Sequence, residues 1–136
     1  MQAIRAYQAA VAADPTYFDA CYNLGVAAQD VASWPVALRA YEGALVLKPS
    51  DPSARFNFAL ALEKAGYPVE AVGELEVLLG RSPGNVDAHL MAANLYDQTL
   101  GERAQARVHY ARVLELSPNH PQAGAIQRWL ALNRAP

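Results

Sequence analysis

Apolar and small residues fall into blocks of about a dozen along the chain, and proline or glycine punctuates the blocks. Inside a block they recur at helical spacing. Ala37, Tyr41 and Ala44 stand four and three apart, as do Ala3, Tyr7 and Ala10, and Ala71, Leu75 and Leu78, which gathers each set on one helix face. Prolines at 15, 35, 49, 52, 68, 83, 118, 121 and 136 exclude helix interiors at those points. Ser33-Trp34-Pro35, Asp51-Pro52 and Asn119-His120-Pro121 each put a capping residue before a first-turn proline and predict helix starts. Gly66 and Gly101 fall where helices should end, supplying the left-handed residue of a C-terminal cap. The pattern predicts eight helices, over about 2–13, 18–31, 35–47, 52–65, 68–80, 86–99, 102–116 and 121–133. Composition agrees, since 28 alanines stand against 15 Val, Ile and Thr residues, favouring helix over strand.

A longer period overlies the helical one. Pro15, Pro49, Pro83 and Pro118 are 34, 34 and 35 residues apart, a spacing that marks a repeat array. Twelve residues upstream of each stand Ala3, Ala37, Ala71 and Ala106, and eight upstream stand Tyr7, Tyr41, Leu75 and Tyr110. The stretch from Phe18 to Asp51 resembles a tetratricopeptide repeat, with Tyr22-Asn23-Leu24-Gly25 in its first helix and Ala37, Tyr41, Ala44 and Pro49 in its second. Cys21, Arg55 and His89 stand where the family usually has Trp or another large apolar residue, and Phe58-Ala59 and Ala92-Ala93 replace its Leu-Gly pair. Gly66 and Gly101 are 35 apart, so the third repeat carries an extra residue near Thr99-Leu100.

The resemblance implies an all-α solenoid, a right-handed superhelix of antiparallel helix pairs whose first helices line a concave groove. It divides 1–136 into an orphan second helix (1–17), repeats at 18–51, 52–85 and 86–120, and a closing helix (121–136). Small residues (Gly25, Ala59, Ala93; Ala37, Ala71, Ala106) are expected where paired helices touch, with Tyr41, Leu75 and Tyr110 filling the gap to the next repeat. Positions spaced three, four and three then share the groove face. They are Asp19, Tyr22, Val26 and Gln29 in the first repeat, Ser53, Phe56, Leu60 and Glu63 in the second, and Asp87, Leu90, Asn94 and Asp97 in the third. Trp129 on the closing helix continues the row, as an anchor pocket or as packing on the third repeat. This is an apolar stripe bordered by carboxylates, suited to a protein or peptide partner with apolar anchors and basic flanks. The Lys, Asn and Arg set with which a subfamily grips acidic chaperone tails is absent: only Asn57 matches, while Tyr22, Val26, Asp87 and Met91 stand at its other positions. Asp87 would repel such a tail. Asn23 and Asn57 are expected to brace neighbouring helices.

Charge and chemistry narrow the function further. With 11 basic and 13 acidic residues among 136 and a net charge of −2, the chain lacks the footprint of a nucleic-acid binder. No apolar run of about 18 residues predicts membrane insertion. One cysteine makes no internal disulfide. Cys21 lies in the first repeat and His89, His109 and His120 in the third, and no HExxH, CxxC, GxSxG or phosphate-loop pattern occurs, so no catalytic or metal residue and no cofactor is expected. His89 and Cys21 fall on packing columns, His109 is expected to face solvent, and His120 sits in a turn. A non-catalytic interaction scaffold is the leading expectation. Homodimerisation through an exposed face of helix 2–13 (Ile4, Tyr7, Val11) is a second. A regulatory array of a larger enzyme, such as a glycosyltransferase, or of an envelope secretion or pilus-assembly protein is a third. Compartment is not legible in these residues.

Overall fold

A computed structural model describes residues 2–14 and 16–134. Pro15 of the proline rhythm and the final Ala135-Pro136 lie outside them. All regular structure among the described residues is helical: α1 (Gln2–Ala13), α2 (Phe18–Asp30), α3 (Trp34–Leu47), α4 (Pro52–Lys64), α5 (Pro68–Arg81), α6 (Val86–Asn94), a π-helical segment (Leu95–Thr99), α7 (Arg103–Leu116) and α8 (Ala123–Leu132). Two compact units divide the chain between Glu74 and Leu75, within α5.

The helix starts follow capping chemistry unevenly. Asp51 accepts the Ala54 N–H at 2.8 Å, as expected, and Asn85 accepts that of Ala88 at 3.0 Å. Ser33 makes no side-chain cap bond although α3 begins beside it. The Asn119-His120-Pro121 start is shifted, because the Gln122 N–H turns back to His120 Nδ1 at 3.0 Å and α8 begins only at Ala123.

The helix ends share one device. Gly66 and Gly101 take φ of +92° and +68°, and the next residue's N–H returns to the closing turn: Tyr67 to the Leu62 carbonyl at 2.8 Å, Glu102 to that of Tyr96 at 2.7 Å. The same device ends α2, where Ser33 N–H reaches the Ala28 carbonyl at 2.8 Å but the left-handed residue is Ala32, at φ +57°. An alanine there crowds its Cβ against the following carbonyl. Ala32→Gly is therefore expected to raise unfolding stability by about 0.5–1 kcal/mol, less than the full left-handed penalty because glycine also loosens the unfolded chain; chemical denaturation of the pair measures it.

The extra residue of the third repeat is absorbed where its spacing located it. The Leu100 N–H bonds to the Leu95 carbonyl, five residues back, at 2.9 Å, so one residue is swallowed by a π turn. For the same reason the return bond past Gly101 spans six residues, where those past Ala32 and Gly66 span five.

In the first unit α2 and α3 form a helical hairpin. Ala37, Ala44 and Ala59 are fully buried, and so is Tyr41. The Tyr41 ring closes on its own hairpin: a Cβ built on Gly25 would lie 2.5 Å from Tyr41 Cε1. Cys21, Ala44 and Ala54 form a core cluster against which Val11 and Phe18 pack. The face of α1 expected to be exposed is largely covered by the chain itself, since Ile4 is buried and Tyr7 and Val11 are half-buried. In the second unit Ala93, Ala106, Tyr110, Val113 and Ile126 form the core, with Leu90, Trp129 and Leu130 packed against it.

Candidate functional site

The first unit presents the α2 and α4 parts of the expected face together. Asn57 Nδ2 donates to the Tyr22 hydroxyl at 2.9 Å and ties the two helices, the bracing role expected of it; Asn23 is exposed. The Tyr22 ring stacks on Phe18 (5.9 Å between centroids) and meets Tyr41 edge-on at 6.1 Å. Gln29 Oε1 accepts the Tyr41 hydroxyl at 2.8 Å. Burial pushes the Tyr41 phenol's pKa up, with Tyr22 and Asp30 adding to it, so this buried donor stays protonated. Tyr22 and Gln29 are thus partly structural. Val26, Phe56, Leu60 and Glu63 are half-buried, and Asp19 and Ser53 are exposed.

Arg55, where the family usually has Trp or another large apolar residue, is a half-buried cation. It pairs with Glu74 of α5 and reaches the Pro49 carbonyl at 2.9 Å, which replaces an apolar contact by an ion pair within the unit.

The second unit carries Asp87, exposed, and Leu90, Asn94, Asp97 and Trp129, all half-buried. Trp129 packs on Tyr110 at 4.8 Å between ring centroids, and the Tyr110 hydroxyl donates to Asn94 Oδ1 at 2.6 Å. Burial and then Asp97 raise the Tyr110 pKa, and both residues line one opening. Trp129 thus packs on the third repeat and also lines an opening of about 200 Å³ with Asn94, Asp97, Gln98, Tyr110 and Gln122. Gln98 and Gln122 were not anticipated. Gln122, Ala125, Ile126 and Trp129 are spaced three, one and three, and that helical spacing was the available signal.

One expectation is corrected. His109 does not face solvent but is buried at 8% exposure, with His89 at 6%. Their Nδ1 atoms are 2.9 Å apart, His89 Nε2 lies 2.8 Å from the Pro83 carbonyl, and His109 Nε2 lies 2.7 Å from Glu76 Oε1. Tyr96 stacks on the His109 ring at 5.7 Å. Burial lowers the His109 pKa below the ordinary histidine value; Glu76 opposes the shift and His89 adds to it. Cys21 is buried beside an apolar opening of about 330 Å³ with Val11, Leu24 and Val36 on its wall. Burial, then Asp14, raises its thiol pKa, away from thiolate chemistry. Among the described residues no group of three His, Cys, Asp or Glu could hold a metal ion, and no helix is long and apolar enough to cross a membrane.

Helix pairs joined at a left-handed residue every 34 or 35 residues, with small residues buried where helices meet, define a helical-repeat protein. The chain belongs to the tetratricopeptide repeat family: models of that repeat match residues 22–86 and 64–130. It is 30% identical over 101 residues to protein O-mannosyl-transferase Tmtc3 of Drosophila melanogaster, a match covering 74% of this chain and 11% of that protein. It spans between 11% and 22% of the length of the curated relatives it matches. Among solved structures it is similar to MamA, with a TM-score of 0.83 at 21% identity over 96% of this chain and 78% of that one. It is also similar to YrrB, a tetratricopeptide repeat protein with an unusual peptide-binding site, with a TM-score of 0.82 at 24% identity over 92% and 64%. These likenesses establish an all-α tetratricopeptide repeat fold, which supports a protein–protein interaction scaffold in general.

Proposed function

We propose that the chain is a non-catalytic scaffold that holds a peptide with apolar anchors and basic flanks on the exposed side of its first helices. The observation that carries this is the half-buried trio Val26, Phe56 and Leu60 on α2 and α4, beside the exposed Asp19 and half-buried Glu63. Packing within the unit leaves these large side chains partly open, and an apolar patch with a polar rim suits a partner. The groove face of the second unit, Asp87, Leu90, Asn94, Asp97 and Trp129, has the same mixture. YrrB's peptide-binding site favours a peptide as the class of ligand. Acidic chaperone tails fit poorly, because Asn57, the single residue matching their clamp, is engaged by Tyr22. A non-catalytic role also accords with His89 and His109, whose ring nitrogens are held by Pro83, Glu76 and each other.

Peptides selected from a random library against the wild-type chain provide the probe. Phe56→Gln with Leu60→Gln should weaken their binding more than about a hundredfold, since central apolar anchors each contribute on the order of 2 kcal/mol. Helical circular dichroism should be unchanged. Binding that survives in the folded double variant would remove the proposal.

A further inference from the structure

We propose that the opening beside Trp129 receives the guanidinium of an arginine on the bound peptide. This rests on the peptide-binding reading above and names the residue that the second unit, taken by itself, would hold.

The size of the opening sets the first limit. At about 200 Å³ it is smaller than the range typical of small-molecule sites, and it suits the end of one side chain. Its walls set the second. One is the Trp129 ring, held by Tyr110 at 4.8 Å and by the Ile126 cluster, so its orientation is fixed before any ligand arrives. Opposite charge comes from Asp97, half-buried on the π-helical segment and in no ion pair among the described residues. Asn94, Gln98 and Gln122 add side-chain carbonyl oxygens; that of Asn94 already accepts from Tyr110 and has a second lone pair to offer.

A cation answers this set best. A carboxylate would meet Asp97, and an apolar side chain would cover three amides without satisfying them. A planar guanidinium stacks on an indole while sharing two N–H groups with a carboxylate, and the compact ammonium of lysine lacks that fork. The π turn bears on this directly. Asp97 lies within Leu95–Thr99, so the inserted residue of the third repeat sets where its carboxylate stands relative to Trp129.

The test uses the whole chain with Trp34→Phe to isolate the Trp129 indole N–H resonance. N-acetyl-argininamide should shift that resonance saturably, and the citrulline analogue, equal in shape but uncharged, should bind at least about tenfold more weakly. Asp97→Asn should erase the difference. Equal binding of the two analogues, or a preference that persists in folded Asp97→Asn, overturns the proposal. Because the probe is a single residue, the outcome does not depend on the apolar stripe. Sequences selected from a random library separate the readings further. Apolar enrichment without arginine sinks this inference alone, and arginine enrichment without apolar anchors sinks the groove reading.

Discussion

Gly25→Ala is expected to lower stability by about 1–2 kcal/mol, although alanine is the better helix former. In an open helix interior the change would gain about 1 kcal/mol. Here the new Cβ would lie 2.5 to 2.8 Å from three atoms of the Tyr41 ring, closer than any ordinary contact. The ring cannot yield cheaply, because Tyr41 is fully buried and its hydroxyl is bound to Gln29. Overpacking of this kind costs roughly 1–3 kcal/mol or more. Gly25→Val, bulkier and β-branched, should lose more than about 3 kcal/mol. Gly73→Ala supplies the contrast: in α5, exposed, with nothing within 4 Å of its Cβ, it should gain about 0.5–1 kcal/mol. The third repeat carries Ala93 beside Tyr110 in the same column, but there the hydroxyl bonds to Asn94, next to the alanine, rather than to a residue one turn further on. Equilibrium denaturation of the three variants checks the sign in each case.

The second large effect is a dependence of stability on pH centred on His109. The pair's three contacts, His89 to Pro83, ring to ring, and His109 to Glu76, require three ring protons, and two neutral imidazoles carry two. The third proton completes the bond to Glu76 but charges a buried ring. Burial prevails, and the folded pKa lies below the ordinary histidine value of about 6.5. The unfolded chain therefore binds more protons than the native one between the lowered value and about pH 6.5. Stability is full above that window and is lost as pH falls through it. Glu76, Tyr96 and His89 face His109, and Arg112 shares the Pro83 carbonyl at 3.5 Å. His109→Phe should flatten the slope in hydrogen exchange of α7. Glu76→Gln should move the His109 ring titration, followed by NMR, to lower pH. A His109 that titrates above 6.5 would contradict this account.

Much of the fold was legible in the sequence because its punctuation is chemical. Pro52 and Pro68 begin helices, Gly66 and Gly101 end them, and a 35-residue interval between those glycines located an insertion that the backbone takes up as a π turn. Ala32 is not legible as a helix end because alanine carries no sign of a left-handed φ. His109 was misplaced because its orientation depends on a partner twenty residues away on another helix. The site was legible only as helix faces. Spacing puts Tyr22 and Gln29 on the stripe, but their ties to Asn57 and Tyr41 exist only once the helices pack. Gln98 and Gln122 became visible beside Trp129 for the same reason.

The central claim is that the first helices present the binding face. Its most direct test is NMR mapping of a library-selected peptide on the isotopically labelled chain. Val26, Phe56 and Leu60 should shift on binding, while Val46 and Val69, exposed on α3 and α5, stay unmoved. Shifts at Val46 or Val69 with Val26, Phe56 and Leu60 unchanged would contradict it.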